Sequence, residues 1–383
     1  MIIMNGMTSS SKKINAKIIL FLFELNVILG IFSRSTFEFA TSRWLQITIF
    51  FVITIMFLIS FDNFKCTVFD IVWLFCGTIL CILTNGIVGN LLLYMVIIAF
   101  SMRNSNIGEL IDWTIISVSI TLLIILLAVR LGIIPNLSFV RNGIYRVSLG
   151  MRFPLIFGAY IFYLSVLLAM KFGKEFPIRM SIILVGIAIL LNRFTNAKND
   201  SICILLLIIV ILAQKLPELM IKKICKISIT ILLILSFIIP FLTYIFPYGS
   251  KMYIVLDKLT TGRLYYQNIL CNYFQPKLLG QNIIQTGLGG SNGIVNNYFY
   301  IDSSFTRILF MGGILFFILF VYAWMRCVYK FVNNGYYLIG MVIMVVWING
   351  FFEDSLSNPT TSILIAFLLI NTNLVDLRKK LKL

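Results

Sequence analysis

The feature of this sequence that most constrains its fold is a succession of apolar runs, each long enough for a helix and separated by short polar breaks. Hydrophobic residues make up 60% of the 383-residue chain and charged residues only 12%, a balance that excludes an ordinary soluble protein. The runs are too long, and polar residues too few, for the alternating strands of a membrane β-barrel. The sequence therefore predicts an all-α fold, a polytopic transmembrane helical bundle that forms a single integral membrane domain over residues 1–383. Its roughly 12 predicted spans cover residues 17–33, 44–61, 67–83, 86–100, 113–131, 153–170, 177–192, 201–214, 226–246, 303–325, 336–352 and 360–375.

Both chain termini are predicted to lie in the cytoplasm. An even number of spans puts them on one side, and both are basic. The loops 171–179, 213–226 and 325–330 fall on that same side and also carry an excess of Lys and Arg, as the positive-inside rule requires. No small-residue cleavage site follows the first apolar run, which is therefore interpreted as a retained span. The terminal cations are Lys12, Lys13 and Lys17 before the first span and Arg378, Lys379, Lys380 and Lys382 after the last.

The absence of histidine narrows the chemistry. The chain has none, which excludes imidazole acid–base catalysis and His-ligated metal sites. Its seven cysteines show no CxxC spacing and lie mostly in or beside apolar runs, which is typical of small core residues rather than of a zinc site or a disulfide framework. We therefore expect no metal site and no cofactor.

Cations are unexpectedly frequent on the predicted outer face, where short loops normally carry few of them. Arginine dominates the set, and its rigid fork matches phosphate oxygens bidentately. An anionic substrate such as a lipid-linked phosphate or pyrophosphate would explain this excess, and contact with lipid headgroups is the alternative. The outer cations are Arg34, Arg43, Arg130, Arg141, Arg146, Arg152, Arg193, Lys198, Lys251, Lys258, Arg263, Lys277 and Arg307.

The longest predicted outer segment is a large extracytoplasmic loop, residues 247–302, between spans 9 and 10. It is rich in Tyr, Phe, Asn and Gln, residue types that stack on sugar rings and hydrogen-bond to hydroxyls. Apolar positions recur at helical spacing between Leu256 and Tyr273. The segment GLGG (287–290) has neither a preceding strand nor a following GK[ST], so it predicts a turn rather than a phosphate loop. A carbohydrate-facing loop is the favoured interpretation, and a loop that only folds over the bundle is the alternative.

Five patches resemble the Wzy-type polysaccharide polymerases and the related O-antigen ligases. They are YRVSLGMRFPLIFG (145–158), with Arg146, Gly150 and Pro154 in the family pattern; RFTNAKNDS (193–201), with Lys198 where the family has arginine; LDKLTTGRLYY (256–266), with a Gly-Arg pair; IDSSFTRILFMGGILFFILF (301–320); and GFFEDSLSNP (350–359). The first patch departs from the family pattern at Met151 and Leu155, which replace Phe and Asn. The resemblance covers roughly residues 140–375.

This resemblance implies an enzyme, a metal-independent glycosyltransferase. As a polysaccharide polymerase it would transfer a growing glycan from undecaprenyl pyrophosphate onto a new lipid-linked repeat unit, at the outer face of the bacterial cytoplasmic (inner) membrane. The implied partners are undecaprenyl-pyrophosphate-linked oligosaccharides, the lipid bilayer, a chain-length regulator and a flippase, with no nucleic acid among them.

Glycosyl transfer from a lipid pyrophosphate requires that the leaving charge be stabilised and that the acceptor hydroxyl be deprotonated. Without histidine, arginines would do the first task and a carboxylate the second. The predicted pyrophosphate and glycan ligands are Arg146, Arg152 and Arg263, assisted by Arg193 and Lys198. The candidate catalytic bases are Glu353 and Asp302, which lie at span boundaries where partial burial raises a carboxyl pKa. Glu353 is preferred, and for either residue a structural ion pair with an arginine is the alternative.

Three other functions stay open from the sequence. An O-antigen ligase has a similar fold, but its large loop carries a histidine that this chain lacks, which favours the polymerase. A flippase or other transporter of lipid-linked oligosaccharides would show charges along a central path and internal repeats. A scaffold without catalysis would leave the aromatic loop unexplained.

Overall fold

The computed structural model describes residues 2–3, 9–61, 65–84, 87–141, 143–287 and 297–371. Over these residues the protein is built almost entirely of helices. The predicted basic residues 378–382 and part of the GLGG segment, 288–290, lie outside the described residues. The α-helices are α1 (Ser9–Ser33), α2 (Arg43–Ser60), α3 (Val68–Leu83), α4 (Ile87–Met102), α5 (Ile107–Arg130), α6 (Pro154–Phe172), α7 (Pro177–Thr195), α8 (Lys198–Ala213), α9 (Glu218–Ile238), α10 (Leu242–Ile245), α11 (Lys251–Leu259), α12 (Arg263–Tyr273), α13 (Ser304–Arg307), α14 (Ile314–Asn333) and α15 (Tyr337–Gly350). Short 3₁₀ helices cover Glu38–Thr41, Ile239–Phe241, Asp354–Ser357 and Ile363–Phe367, a π-helical turn covers Ile308–Gly312, and two antiparallel pairs join β1 (Ile2–Ile3) to β2 (Lys65–Cys66) and β3 (Ser138–Arg141) to β4 (Ile144–Val147).

Among the described residues, seven helical segments are long and apolar enough to cross a membrane. Three further helices, α3, α4 and α15, are apolar but shorter. An all-α fold is therefore confirmed, and these helices indicate a multi-pass membrane protein. The seven segments are Ile14–Ser33, Arg43–Ser60, Ile107–Arg130, Pro154–Phe172, Pro177–Thr195, Glu218–Ile245 and Ile314–Asn333.

Local sequence signals set several helix ends. Thr67 and Asp70 form a reciprocal capping box at the start of α3, which satisfies two backbone N–H groups that a helix leaves free. Pro154 and Pro177 stand at the first positions of α6 and α7, where a missing N–H costs no helical hydrogen bond. Asn196 adopts a left-handed conformation (φ 49°) after α7, which ends that helix and turns the chain into α8.

Helix α15 lies at the centre of the bundle. It packs against α6, α8, α9 and α14, and residues 338–347 are all buried. Helix α1 packs on α2 and α5, whereas α3 packs on α4 and α14. A helix that is apolar on every side is covered either by protein or by lipid, and in this protein the four neighbouring helices cover α15.

The first eleven predicted spans lie mainly in helices, although the ninth includes a 3₁₀ turn and the tenth is interrupted by the π-helical turn and Gly313. The prediction of a helix over 360–375 is wrong for the part that the structure describes. Residues 361–370 are buried and contain only the short 3₁₀ helix. Their backbone carbonyls accept hydrogen bonds from side chains: Cys327 donates to Phe367 and Lys330 to Ile370. Irregular backbone is tolerated at membrane depth where protein surrounds it, and here the bundle supplies the partners that a helix would have supplied itself.

Candidate functional site

One end of the bundle, where α1, α5, α7, α9 and α15 end, gathers the residues that the sequence singled out. We call it the site end. The segment after α1 is bonded to the segment before α6, because Thr36 N–H donates to Gly150 O at 2.9 Å and Arg152 N–H to Arg34 O at 3.0 Å. Gly150 has φ +85°, a conformation that favours glycine. These bonds place Arg34 and Arg152 side by side although they are far apart in sequence.

At the site end, Arg263 binds both predicted bases. Its Nη2 lies 2.6 Å from Glu353 Oε1, and its Nε lies 3.4 Å from Asp302 Oδ2. The Arg263 and Glu353 side chains are 16% and 8% exposed, so the shorter ion pair is largely shielded from water. The structure thus brings together three residues from three separate predicted patches.

The backbone around this ion pair is held tightly. Gly262 precedes α12 with φ +86°, a left-handed turn that makes Arg263 the first residue of the helix. The N–H and the hydroxyl of Ser304 donate to the Glu353 carbonyl at 3.1 and 2.6 Å. Ser304 opens α13, so the chain after the large loop is clamped directly onto the chain after α15.

Burial increases the affinity of the Glu353 carboxyl group for a proton. Removal from water raises the pKa of its carboxyl well above the ordinary 4.5, because the charged form is disfavoured in a low-dielectric environment. Arg263 acts in the opposite direction, whereas the neighbouring acids Asp302 and Asp354 raise the pKa further. The carboxyl group of Glu353 therefore holds a proton to a higher pH than an exposed glutamate does.

A second network lies beside the first. Arg307 Nη1 and the Tyr300 hydroxyl both donate to Asp354 Oδ2, at 2.6 and 2.5 Å, and Arg307 Nη2 donates to Gln285 Oε1 at 3.3 Å. Burial and the adjacent Asp354 carboxylate raise the pKa of Tyr300, so its hydroxyl keeps the proton that it donates. The network fixes Tyr300 and Gln285 of the large loop against the segment that follows α15.

A cavity of about 430 Å³ opens on one side of Glu353, and we call it the Arg146 cavity. Arg146, Lys198 and Arg263 line it together with many leucine and isoleucine side chains. Arg146 is buried and its Nε donates to the Thr195 carbonyl at 2.9 Å, whereas Lys198 is exposed at the first position of α8. Cations beside apolar walls match a phosphate headgroup attached to a hydrocarbon chain.

A second cavity, of about 530 Å³, opens on the other side, and we call it the Arg152 cavity. Arg34 and Arg152 line it, as do aromatic and amide side chains that include Tyr298, Tyr300 and Gln285. Leu155 and Glu353 are the residues that line both cavities. The candidate base therefore stands in a wall between two compartments.

Of the predicted ligands, the structure brings Arg146, Lys198 and Arg263 to one cavity and Arg152 to the other. Arg193 is set apart, since it is exposed near the end of α7 and lines neither cavity. The predicted bases also separate: Asp302 lines the Arg152 cavity but not the Arg146 cavity. The geometry therefore favours Glu353.

Sequence reasoning missed several residues of the site. They are Arg34, Arg307 and Tyr300 in the networks above and the buried pair in which Asn349 Nδ2 donates to Asp200 Oδ1 at 2.9 Å. Arg34 and Arg307 were visible as outer cations, but nothing in one sequence pairs them with their neighbours. Asn349 near the end of an apolar helix was the one available signal, because a polar residue inside such a run is costly unless it has a partner.

A π-helical turn lies just before α14, where the large loop contacts the bundle. Ile308–Gly312 forms this turn, which is a rare feature, and Gly313 follows it with φ +90°. A Cβ on Gly313 would lie 2.3 Å from Gly280 N. The large loop approaches so closely here that Ile314 N–H donates to Lys277 O at 2.9 Å, and only glycine permits this contact.

The helical spacing predicted between Leu256 and Tyr273 is confirmed by α11 and α12, which a turn at Thr260–Gly262 separates. No family model, curated protein or solved structure matches the chain. The resemblance to polysaccharide polymerases therefore stays a prediction from the sequence motifs, and the interpretation of the site depends on its geometry.

Proposed function

We propose that the protein is a glycosyltransferase of the membrane, a polysaccharide polymerase that moves a growing glycan from a lipid pyrophosphate onto a second lipid-linked glycan. The observation that carries this proposal is that Glu353 lines both the Arg146 cavity and the Arg152 cavity. A transferase must hold two substrates with a base between them, and this arrangement provides two compartments that meet at one carboxyl group.

In this mechanism the Arg146 cavity holds the donor. Its cations neutralise the pyrophosphate, and its apolar side chains accommodate the start of the lipid chain. The acceptor glycan occupies the Arg152 cavity, where Tyr298 and Tyr300 offer surfaces for sugar rings. The acceptor hydroxyl gives its proton to Glu353 and its oxygen bonds to the anomeric carbon. The bond from that carbon to the pyrophosphate oxygen breaks, and the pyrophosphate leaves with the electron pair, stabilised by Arg146, Lys198 and Arg263.

The proposal includes an orientation in the bacterial cytoplasmic membrane. Twelve segments would cross it, with the buried irregular segment after α15 as the twelfth, and both termini would lie in the cytoplasm. The site end would then face outward, with residues 247–302 as the large extracytoplasmic loop. Loops rich in Lys and Arg at the opposite end support this orientation.

The test is deletion of the gene in its native host, followed by gel analysis of surface glycan. We expect single repeats where wild-type cells show a ladder, with the ladder restored by the intact gene but not by Arg263→Ala or Arg146→Gln. Arg193→Gln is the matched control, because Arg193 lines neither cavity, and it should restore the ladder.

The same experiment separates the other functions. Lipid-linked polymer that accumulates without surface glycan would indicate a ligase. Single repeats that remain on the cytoplasmic side would indicate a flippase. Either result would refute the polymerase.

A further inference from the structure

Two arginines at the site end lack the carboxylate partners that their neighbours have. The Arg152 cavity is lined by the carboxylates of Asp302, Glu353 and Asp354. Arg263 binds the first two and Arg307 binds the third. No ion pair joins Arg34 or Arg152 to a carboxylate of the described residues. The charge of these two guanidinium groups is therefore left for something else to neutralise.

The protein holds each of the two guanidinium groups through its Nε atom. Arg34 Nε donates to Thr360 Oγ1 at 3.4 Å, and Arg152 Nε donates to the Ser35 carbonyl at 3.2 Å. Among the described residues, the buried Nη2 of Arg152 has no hydrogen-bond partner. Anchoring through Nε leaves the terminal nitrogens of Arg34 and the Nη1 of Arg152 for a ligand in the cavity that both residues line, and arginine nitrogens of this kind bind phosphate oxygens.

The two charges also oppose each other. Burial, together with the nearby positive charge of Arg34, lowers the pKa of Arg152. Two arginines that repel each other beside a cavity destabilise the empty protein, and a bound anion would reverse that cost. Their positions are fixed, since the hydrogen bond from Arg152 N–H to Arg34 O ties the two backbones together.

We propose that Arg34 and Arg152 form a second diphosphate-binding site, which holds the pyrophosphate of the lipid-linked acceptor in the Arg152 cavity. This inference rests on the proposed function and deepens it: the protein binds two lipid pyrophosphates at once, one on each side of Glu353. The acceptor is thereby recognised by its headgroup as well as by its sugars, so a free oligosaccharide is a poor acceptor.

The test counts bound ligands on the full-length protein in detergent micelles by native mass spectrometry, with farnesyl pyrophosphate as the probe. We expect two molecules per wild-type chain and one per Arg34→Gln/Arg152→Gln chain. The Arg146→Gln/Lys198→Gln variant should also retain one, in the other cavity, and all four substitutions together should retain none. Arg193→Gln is the matched control and should bind two.

Each double variant retains the binding site that was not altered, so the one ligand that it still binds shows that the protein is folded. If the Arg34→Gln/Arg152→Gln variant binds no ligand, the single variant Arg34→Gln decides between misfolding and loss of the site. The 3.4 Å contact between Arg34 and Thr360 contributes little to the fold, so this variant should fold and should bind the second ligand about tenfold or more weakly. An unchanged second step in that variant overturns the proposal.

The remaining outcomes distinguish this site from the proposed function. A wild-type stoichiometry of one that is lost with Arg146 and Lys198 overturns the second site and leaves the donor site standing. No binding to the wild type overturns both. Binding of two ligands to the Arg34→Gln/Arg152→Gln variant also overturns the proposal. So does displacement of the second ligand by glucuronate more readily than by inorganic pyrophosphate, because the site would then recognise an acidic sugar.

Discussion

Replacement of Glu353 by glutamine tests whether this carboxyl group is a proton acceptor or a structural ion-pair partner, because the two roles predict opposite changes in stability. The glutamine amide would keep an oxygen near Arg263 Nη2, which lies 2.6 Å from Glu353 Oε1 in the structure. Arg263 would also keep its contact with Asp302. The substitution therefore removes the titration of residue 353 and little of its packing.

The magnitude follows from the raised pKa of Glu353. In the unfolded chain this carboxyl loses its proton near its ordinary pKa of 4.5, whereas in the native protein burial keeps the proton bound to a higher pH. The native state then binds more protons than the unfolded state, so stability falls as pH rises, by about 1.4 kcal/mol per pH unit until the native pKa is reached. Between pH 5 and pH 7 the loss is at most about 2.7 kcal/mol. Glu353→Gln abolishes this loss.

We expect the variant to be the more stable by less than about 1 kcal/mol at pH 5, which lies just above the unfolded pKa, and by a larger margin at pH 7. The assay is denaturant titration in detergent micelles followed by tryptophan fluorescence, since Trp73, Trp324 and Trp347 are fully buried and report the loss of packing. Glu38→Gln is the matched control, because Glu38 is an exposed carboxylate at the site end. If Glu38→Gln also became clearly more stable than the wild type at pH 7, the gain in Glu353→Gln would reflect the removed negative charge rather than burial.

The opposite result would refute the reasoning. If Glu353 served mainly to stabilise the fold as the partner of Arg263, its removal would cost about 3–5 kcal/mol, the usual effect of breaking a buried ion pair. Activity supplies the second half of the test: loss of a general base slows transfer by about 10²–10⁴-fold. A variant that is more stable at pH 7 and inactive supports the catalytic role.

Three further perturbations follow from the same structure. Gly313→Ala should destabilise the protein by about 2 kcal/mol or more, because φ is +90° and the new Cβ would lie 2.3 Å from Gly280 N. The control Gly186→Ala, at a position where the helix surface is open, should stabilise the protein by about 0.5–1 kcal/mol. Equal effects of the two substitutions in denaturant titration would contradict the claim that the large loop approaches Gly313 closely. Asp354→Asn should cost about 3 kcal/mol by leaving Arg307 without its carboxylate, and the additional change Arg307→Gln should recover part of that loss, whereas additive effects would show that the two residues are uncoupled. EDTA should leave the rate of glycan transfer unchanged, since arginines are predicted to neutralise the leaving group, and inhibition that Mg²⁺ reverses would contradict that mechanism.

The helices were predictable from the apolar runs, because a segment in lipid must pair its backbone N–H and C=O groups within itself, and a helix does so. The twelfth run shows where this logic stops. Residues 361–370 are buried, and the side chains of Cys327 and Lys330 satisfy carbonyls of this segment that a helix would have satisfied itself. Hydropathy reports that a segment avoids water, but not whether its neighbours provide hydrogen bonds.

The site was predictable to the extent that its residues lie in short motifs. Arg263 and Glu353 were chosen from separate patches, and the structure joins them at 2.6 Å. Arg34 was not chosen, because it lies in a part of the chain that carries no motif and meets Arg152 only through the pairing of two loop backbones. Proximity that arises from such loop contacts leaves no periodic signal in a sequence.

Leu155 bears on the proton affinity of Glu353, the base of the proposed mechanism. Leu155 lines both cavities together with Glu353, at a position where the sequence pattern of the proposed polymerase family has asparagine. An amide there could hydrogen-bond to a carboxylate and favour its charged form, whereas a leucine side chain offers no hydrogen bond and excludes water. The apolar substitution therefore acts in the same direction as burial, towards a carboxyl group that holds its proton to higher pH. Arg263 opposes that effect from the other side, and the balance between the two sets how readily Glu353 accepts a proton.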